Sequence, residues 1–214
     1  MQERKLMELA EAAGNIAIVG HVRPDGDCVG SCLAVCNYIT EQYPEKMVDV
    51  YLETPSAKFS YLKQFERICS DPDTGNQYDL CICLDSGDRE RLGKNVVYLN
   101  TAKTSICIDH HITNQGYAAA NFVKADASAT CEVLYDFLDE EKISRDVAEC
   151  IYTGILHDTN VFKNSNTTQR TMQVAGAMMA KGIHFSRIID ESFYRKTYVQ
   201  NQIMGRAVLE SVLF

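Results

Sequence analysis

The chain has 214 residues, 46% hydrophobic and 23% charged, with a formal net charge of -8 and a pI near 5.1. That length and apolar share suffice to bury a core and exclude the disordered and fibrous classes. The acidic balance excludes the basic field that binders of long duplex DNA or RNA use to release counterions, so a nucleic-acid ligand is expected to be short or locally held.

The opening stretch, MQERKLMELAEAAGN, mixes charges and has no apolar run of the kind a secretion signal needs. No later window approaches 18 uninterrupted apolar residues, so the expectation is a cytoplasmic protein without a membrane partner. Asn15 to Val19 then reads as a first buried strand. After a turn at Pro24 to Asp27, the residues Val29, Leu33, Cys36 and Ile39 fall on one helical face and predict a crossover helix. Met47 to Leu52, Asp79 to Leu84 and Ser105 to Ile108 are short and rich in Val, Ile, Leu or Cys, as buried parallel strands are. Ala119 to Val123 is expected to add an edge strand, and Val133, Leu134, Phe137 and Leu138 an amphipathic helix. Beyond this point the pattern turns helical. Ser144 can cap a helix with Val147, Ile151 and Ile155 on its apolar face, and Thr167 or Thr168 a helix carrying Met172, Ala175 and Met179. Much of Tyr198 to Val212 is expected to form a last helix. The expected fold is therefore α/β, a doubly wound and mainly parallel sheet flanked by helices, with a helical C-terminal segment. The strand order is not readable from the sequence.

Nine cysteines would make a disulfide scaffold only in a secreted chain, and here they sit inside apolar runs. Cys81 and Cys83 alternate along a strand, whereas Cys28, Cys32 and Cys36 recur at helical spacing. Neither set has CxxC spacing, so buried free thiols are expected.

The acids and imidazoles gather where the strands end. His21, Asp25 and Asp27 follow the first strand in GHVRPDGD, Asp85 ends LCICLD, and Asp109, His110 and His111 end SICIDHH. Asp158 follows a helix in GILHDTNVF. Each piece alone has a plainer reading: PDGD as a turn, Asp85 as a helix cap, Asp158 as an Asx turn. Taken together they are harder to dismiss, because the C-terminal strand ends of an open parallel sheet share one rim. Clustered carboxylates repel one another unless protons or cations neutralise them, and divalent metals do so economically. A mixed imidazole and carboxylate set suits manganese better than a structural zinc. Two ions held about 4 Å apart would activate a water and clamp phosphoryl oxygens. His157 is left undecided, and His184 reads as a surface or packing residue.

HVRPDGD, LDSGD, DHH and GILHDTNVF, in that order, resemble the four motifs of the DHH phosphoesterase family. Within it, PDGD followed by Gly30 and Ser31, together with DTNVF, is most similar to the bacterial enzymes that act both on oligoribonucleotides and on 3'-phosphoadenosine 5'-phosphate. The resemblance implies that His21, Asp25 and Asp85 hold one divalent ion, and that Asp27, Asp85, His110 and Asp158 hold another. Asp85 would bridge the pair. It further implies that His111 contacts the scissile phosphate or assists the leaving group, with Asp109 orienting an imidazole. Two departures stand out: Asn160 occupies a position that is usually glycine, and the chain has no Gly-Gly pair, whereas the family carries a glycine-rich substrate-binding domain. Residues 1–190 are accordingly expected to form the catalytic domain, and 191–214 a helix leading toward a substrate-binding domain outside these residues. A homodimer is compatible with these readings. The competing readings are a pyrophosphatase of family II type, disfavoured because those enzymes typically read PDTD where this chain has PDGD, and a metal- or nucleotide-binding module without turnover.

Overall fold

The computed structural model of the chain describes residues 5–72 and 75–212. The expected segments 1–190 and 191–214 also run over residues 1–4, 73–74 and 213–214, which lie outside the described residues. A first helix, α1 (Lys5–Ala12), leads into β1 (Asn15–Val19), and α2 (Gly26–Gln42) crosses to β2 (Met47–Tyr51). β3 (Ile68–Cys69), β4 (Leu80–Leu84), α3 (Val96–Thr101), β5 (Thr104–Asp109) and β6 (Ala120–Val123) follow. The remainder is helical: α4 (Thr130–Tyr135), α5 (Arg145–Asp158), α6 (Gln169–Ala180), α7 (Phe185–Ile189) and α8 (Tyr198–Glu210).

The strands form one sheet in the order β3-β2-β1-β4-β5-β6, every pair parallel. The chain leaves β1 toward β2 on one side and later resumes at β4 on the other, so the order reverses between β1 and β4. Alternate strand residues enter different apolar clusters. Ile16, Ile18, Ile82, Leu84, Ile106 and Ile108 join the large cluster with α2 and α5. Ala17, Val19, Cys81, Cys83 and Cys107 join a smaller one with Tyr51, Tyr78 and Tyr98. Eight of the nine cysteines are buried, Cys69 is exposed, and all are free.

α2 is the predicted crossover helix with Val29, Leu33, Cys36 and Ile39 buried, and the structure buries the rest of Gly26 to Ile39 as well. The reason is its position: α2 touches the sheet and also α5, so no face is left for water. The two helices approach closely at Gly30, where an added Cβ would meet Cys150 O at 2.6 Å. Ser144 caps α5 by accepting from Val147 N, and Thr168 caps α6 in a capping box with Thr171. α4 starts and ends earlier than its apolar residues suggest, leaving Phe137 and Leu138 buried beyond its end. α8 has no buried residue. No described helix is long and apolar enough to cross a membrane.

Candidate metal centre

His21 and Asp85 come from the two strands on either side of the reversal, where an open parallel sheet forms its crevice. Asp85 directly follows β4 and takes a left-handed backbone, φ 55°, which Asp tolerates better than most residues. Its side chain is only 2% exposed, with Oδ2 3.4 Å from His21 Nε2 and Oδ1 3.6 Å from His110 Nε2. One carboxylate thus offers a different oxygen to each imidazole. Thr130 Oγ1 donates to the same Oδ1 at 3.0 Å.

Both imidazoles are fixed through Nδ1. His21 Nδ1 lies 2.8 Å from Val22 O, and His110 Nδ1 lies 3.4 Å from Ala127 O. A carbonyl can only accept, so Nδ1 carries hydrogen and Nε2 is the nitrogen left to bind a cation.

The turn before α2 supplies two more carboxylates. Asp25 is the N-cap of α2, its Oδ1 accepting from Asp27 N and Cys28 N at 3.1 Å each while lying 3.7 Å from His21 Nε2. Asp27 is fully buried and accepts from Thr130 N at 2.6 Å and Cys131 N at 3.0 Å, at the start of α4. Its Oδ2 is 3.9 Å from His110 Nε2. Asp158, the last residue of α5, brings Oδ2 to 3.2 Å from the same nitrogen. Gly154, one turn earlier, leaves the space this requires, since a Cβ there would meet Asp27 Oδ1 at 2.6 Å. After Asp158 the chain makes a left-handed turn through Asn160, Val161 and Phe162, with φ of 50°, 57° and 61°. Asn160 tolerates this conformation nearly as glycine would, whereas a β-branched residue such as Val161 rarely adopts it.

These groups perturb one another strongly. Burial, then the charges of Asp85 and Asp158, push Asp27 well above the usual carboxylate range. Burial likewise raises Asp158, with Asp85 adding to it. At His110 burial opposes the proton, but Asp158, Asp27 and Asp85 outweigh it and raise the imidazole to about 10. His21 is raised in the same way by Asp25 and Asp85 against its burial. Asp25 is drawn down to about 2, its burial overcome by His21 and the Cys28 N–H. Protonated imidazoles are the only cations among these groups, and a surplus of carboxylate remains.

Among the described residues, three groups have donor atoms within 4.8 Å of one another: His21, Cys28 and Asp85; Asp85, His110 and His111; and Asp27, His110 and Asp158. Asp85 belongs to two of them. Oxygen and imidazole donors around a buried surplus of negative charge fit divalent cations.

Asp109 is fully buried and belongs to none of the three groups, but it contacts one of their members, His111. Its Oδ1 accepts from His111 Nδ1 at 2.8 Å and its Oδ2 from Asn114 Nδ2 at 2.7 Å. The Asp109 carboxylate raises His111 above its ordinary value, and His111 Nε2 faces Arg91 Nη1 at 3.5 Å. His157 is packed away from the carboxylates, with Nε2 3.1 Å from Ser192 Oγ and its ring against Phe59 and Phe193. Burial, then the Lys58 charge, lower it to about 4, so it is neutral. His184 is exposed just before α7. Thr130, Asn114 and Arg91 carry no sequence signal of their own. Thr130 and Arg91 reach the site across 45 and 20 positions, and Asn114 reaches Asp109 across five, in the loop after β5.

Residues 15–155 match the model of the DHH family, N-terminal domain. The bifunctional oligoribonuclease and PAP phosphatase NrnA of Bacillus subtilis is 30% identical over 184 residues, covering 84% of this chain and 57% of the relative. The protein of that name from Thermus thermophilus is 28% identical over 215 residues, covering 99% and 63%. The chain therefore spans about three fifths of the length of these relatives. Among solved structures, an exopolyphosphatase-related protein from Bacteroides fragilis superposes with a TM-score of 0.90 at 22% identity, over 100% of this chain and 66% of that one. A Methanococcus jannaschii protein assigned as a family II inorganic pyrophosphatase reaches a TM-score of 0.59 at 18% identity, over 82% and 61%.

Proposed function

The chain belongs to the DHH family, and from that premise we propose that it is a metal-dependent phosphoesterase hydrolysing short oligoribonucleotides, 3'-phosphoadenosine 5'-phosphate, or both. The observation that carries this reading is Asp85, whose two oxygens face His21 on one side and His110 on the other. Such sharing is what a carboxylate between two cations requires. The relatives' names supply the substrate class, and the net charge of -8 agrees with a short substrate over a long duplex.

In this reading His21, Asp25 and Asp85 hold one ion, and Asp27, Asp85, His110 and Asp158 the other. Manganese is the preferred candidate for a carboxylate and imidazole set. Ions bound there would lower the pKa of a water to make the nucleophile and neutralise charge on the phosphoryl oxygens. The rest falls to the chain itself. Asp109, clamped by Asn114, fixes His111 with Nδ1 inward, so that Nε2 can donate to a phosphoryl oxygen or leaving group once protonated. Arg91 adds a second cation beside that nitrogen. Nine free thiols, eight of them buried, support a reducing, cytoplasmic setting. A connecting helix after the catalytic part is supported by α8, which begins at Tyr198 and buries none of its residues, while Ser192 and Phe193 still pack on His157 and belong with the part before it.

The test is product analysis with the manganese-loaded protein. Mononucleotides from a dinucleotide, or inorganic phosphate from 3'-phosphoadenosine 5'-phosphate, are expected. Hydrolysis of pyrophosphate with neither nucleotide touched would replace this reading by the pyrophosphatase one.

A further inference from the structure

A cleft of about 620 Å³ lies between the segment containing Lys58 and the segment that opens α8. Lys58, Arg195 and Lys196 line it, together with Tyr61, Thr197 and Gln200. Among the described residues, none of the three cations has a carboxylate at ion-pair distance. Glu191 also borders the cleft but is paired with Arg187 at 3.0 Å. The cleft wall therefore carries unneutralised positive charge in a chain that is otherwise strongly acidic. The N-terminus of α8, capped by Thr197, presents its positive dipole end on the same side.

The cleft is coupled to the centre through a short run of contacts. Lys58 Nζ lies over the Phe59 ring at 4.8 Å, and Phe59 meets the His157 ring at 5.0 Å. His157 packs against Gly26, where any Cβ would meet its Cγ at 2.2 Å. Gly26 sits between Asp25 and Asp27. Lys58 itself is partly desolvated and feels the Asp25 charge. The His157 ring thus lies between Phe59 and the turn that carries Asp25 and Asp27.

We propose that this cleft is an anion subsite that binds a second phosphate or phosphodiester of the substrate while the scissile phosphate occupies the metal centre. The inference rests on the phosphoesterase reading above and adds to it a location within this chain. A free nucleotide with two phosphates and a short oligonucleotide both present such a group; a nucleoside monophosphate does not. The subsite would thus favour substrates with at least two anionic groups and would leave small aryl phosphates unaffected.

The experiment measures equilibrium binding to the manganese-loaded protein by calorimetry. The probes are adenosine analogues carrying methylenephosphonate groups, which resist hydrolysis, at both the 3' and 5' positions or at the 5' position alone. Binding of the double analogue is expected to be at least about tenfold tighter. Lys58→Gln, and separately the pair Arg195→Gln with Lys196→Gln, should each remove most of that difference and leave manganese binding and the single analogue unchanged. Equal binding of the two analogues by the parent protein, or a difference that survives both variants, would overturn the subsite. A parent that keeps the difference yet hydrolyses no phosphate ester would leave the subsite standing and remove the proposed reaction.

Discussion

At the edge where the strands begin, Asp79 is matched group for group. Lys103 Nζ lies 2.6 Å from its Oδ1, and the Gly14 and Asn15 N–H groups donate to Oδ2 at 2.9 and 3.1 Å. At the opposite rim, Asp27, Asp85 and Asp158 converge on one imidazole, that of His110. The same side chain serves both edges, with different consequences. Beside Lys103 the carboxylate is held down to about 2 and is fully ionised at neutral pH. At the rim Asp27 and Asp158 are pushed up, because burial and neighbouring acids outweigh the partners available. An acid at the end of a strand is thus a clamp where its partners neutralise it and a candidate ligand where they do not.

The largest effect should come from Asp85→Asn, which keeps shape and removes the charge shared by both halves of the rim. The expected outcome is a steep loss of kcat/KM on nucleotide substrate, with the circular dichroism spectrum preserved and manganese binding weakened in titration. A fall smaller than about tenfold, roughly 1.4 kcal/mol, is too little for a bridging group. Asp109→Asn should act less strongly, by about ten- to a hundredfold in kcat. It weakens the hold on His111 and should leave manganese affinity near that of the parent. Equal losses of manganese binding and turnover would move Asp109 from positioning His111 to the ligand set.

Asp79→Asn should have the smallest effect, and it tests the other edge. Turnover should be unchanged, while the melting temperature falls slightly at pH 7. The folded-state pKa is depressed to about 2, so the stabilisation is present above the unfolded value near 3.9 and is lost as pH falls through the folded one. Melting curves of parent and variant should therefore converge between about pH 4 and pH 2. A difference that persists below pH 2 would mean that the hydrogen bonds, and not the charge, hold this edge.

The sheet was legible because parallel strands buried on both faces read as short apolar runs. β1 has the bounds its sequence predicts, and β2, β4, β5 and β6 differ by a residue or so. β3 was not legible, because two residues carry no periodicity. α2 was legible as a helix, but the burial of its remaining faces was not, because that depends on the layers it lies between. At the rim, the acids and imidazoles other than Asp158 stood out because chain order places them at or just after strand ends. Thr130 did not: it meets Asp27 and Asp85 across 103 and 45 positions, and no local pattern encodes such contacts. Asp109 was legible as part of DHH, but its use of both oxygens on His111 and Asn114 was not.

The left-handed turn at Asn160, Val161 and Phe162 gives Asp158 an unusual anchor. Val161 and Phe162 in that conformation each cost roughly 1–2 kcal/mol relative to their relaxed form, and Asn160 less, so the turn persists only while its surroundings enforce it. Here they do so through Val161 N to Leu156 O, Phe162 N to Thr159 Oγ1, and the Phe162 ring against Tyr152. The segment resembles a wound spring held by a latch. On warming, it has the most to gain from letting go, and α5 would lose its last residue before the sheet loses a strand. The temperature at which this protein stops working should accordingly lie below the temperature at which it melts.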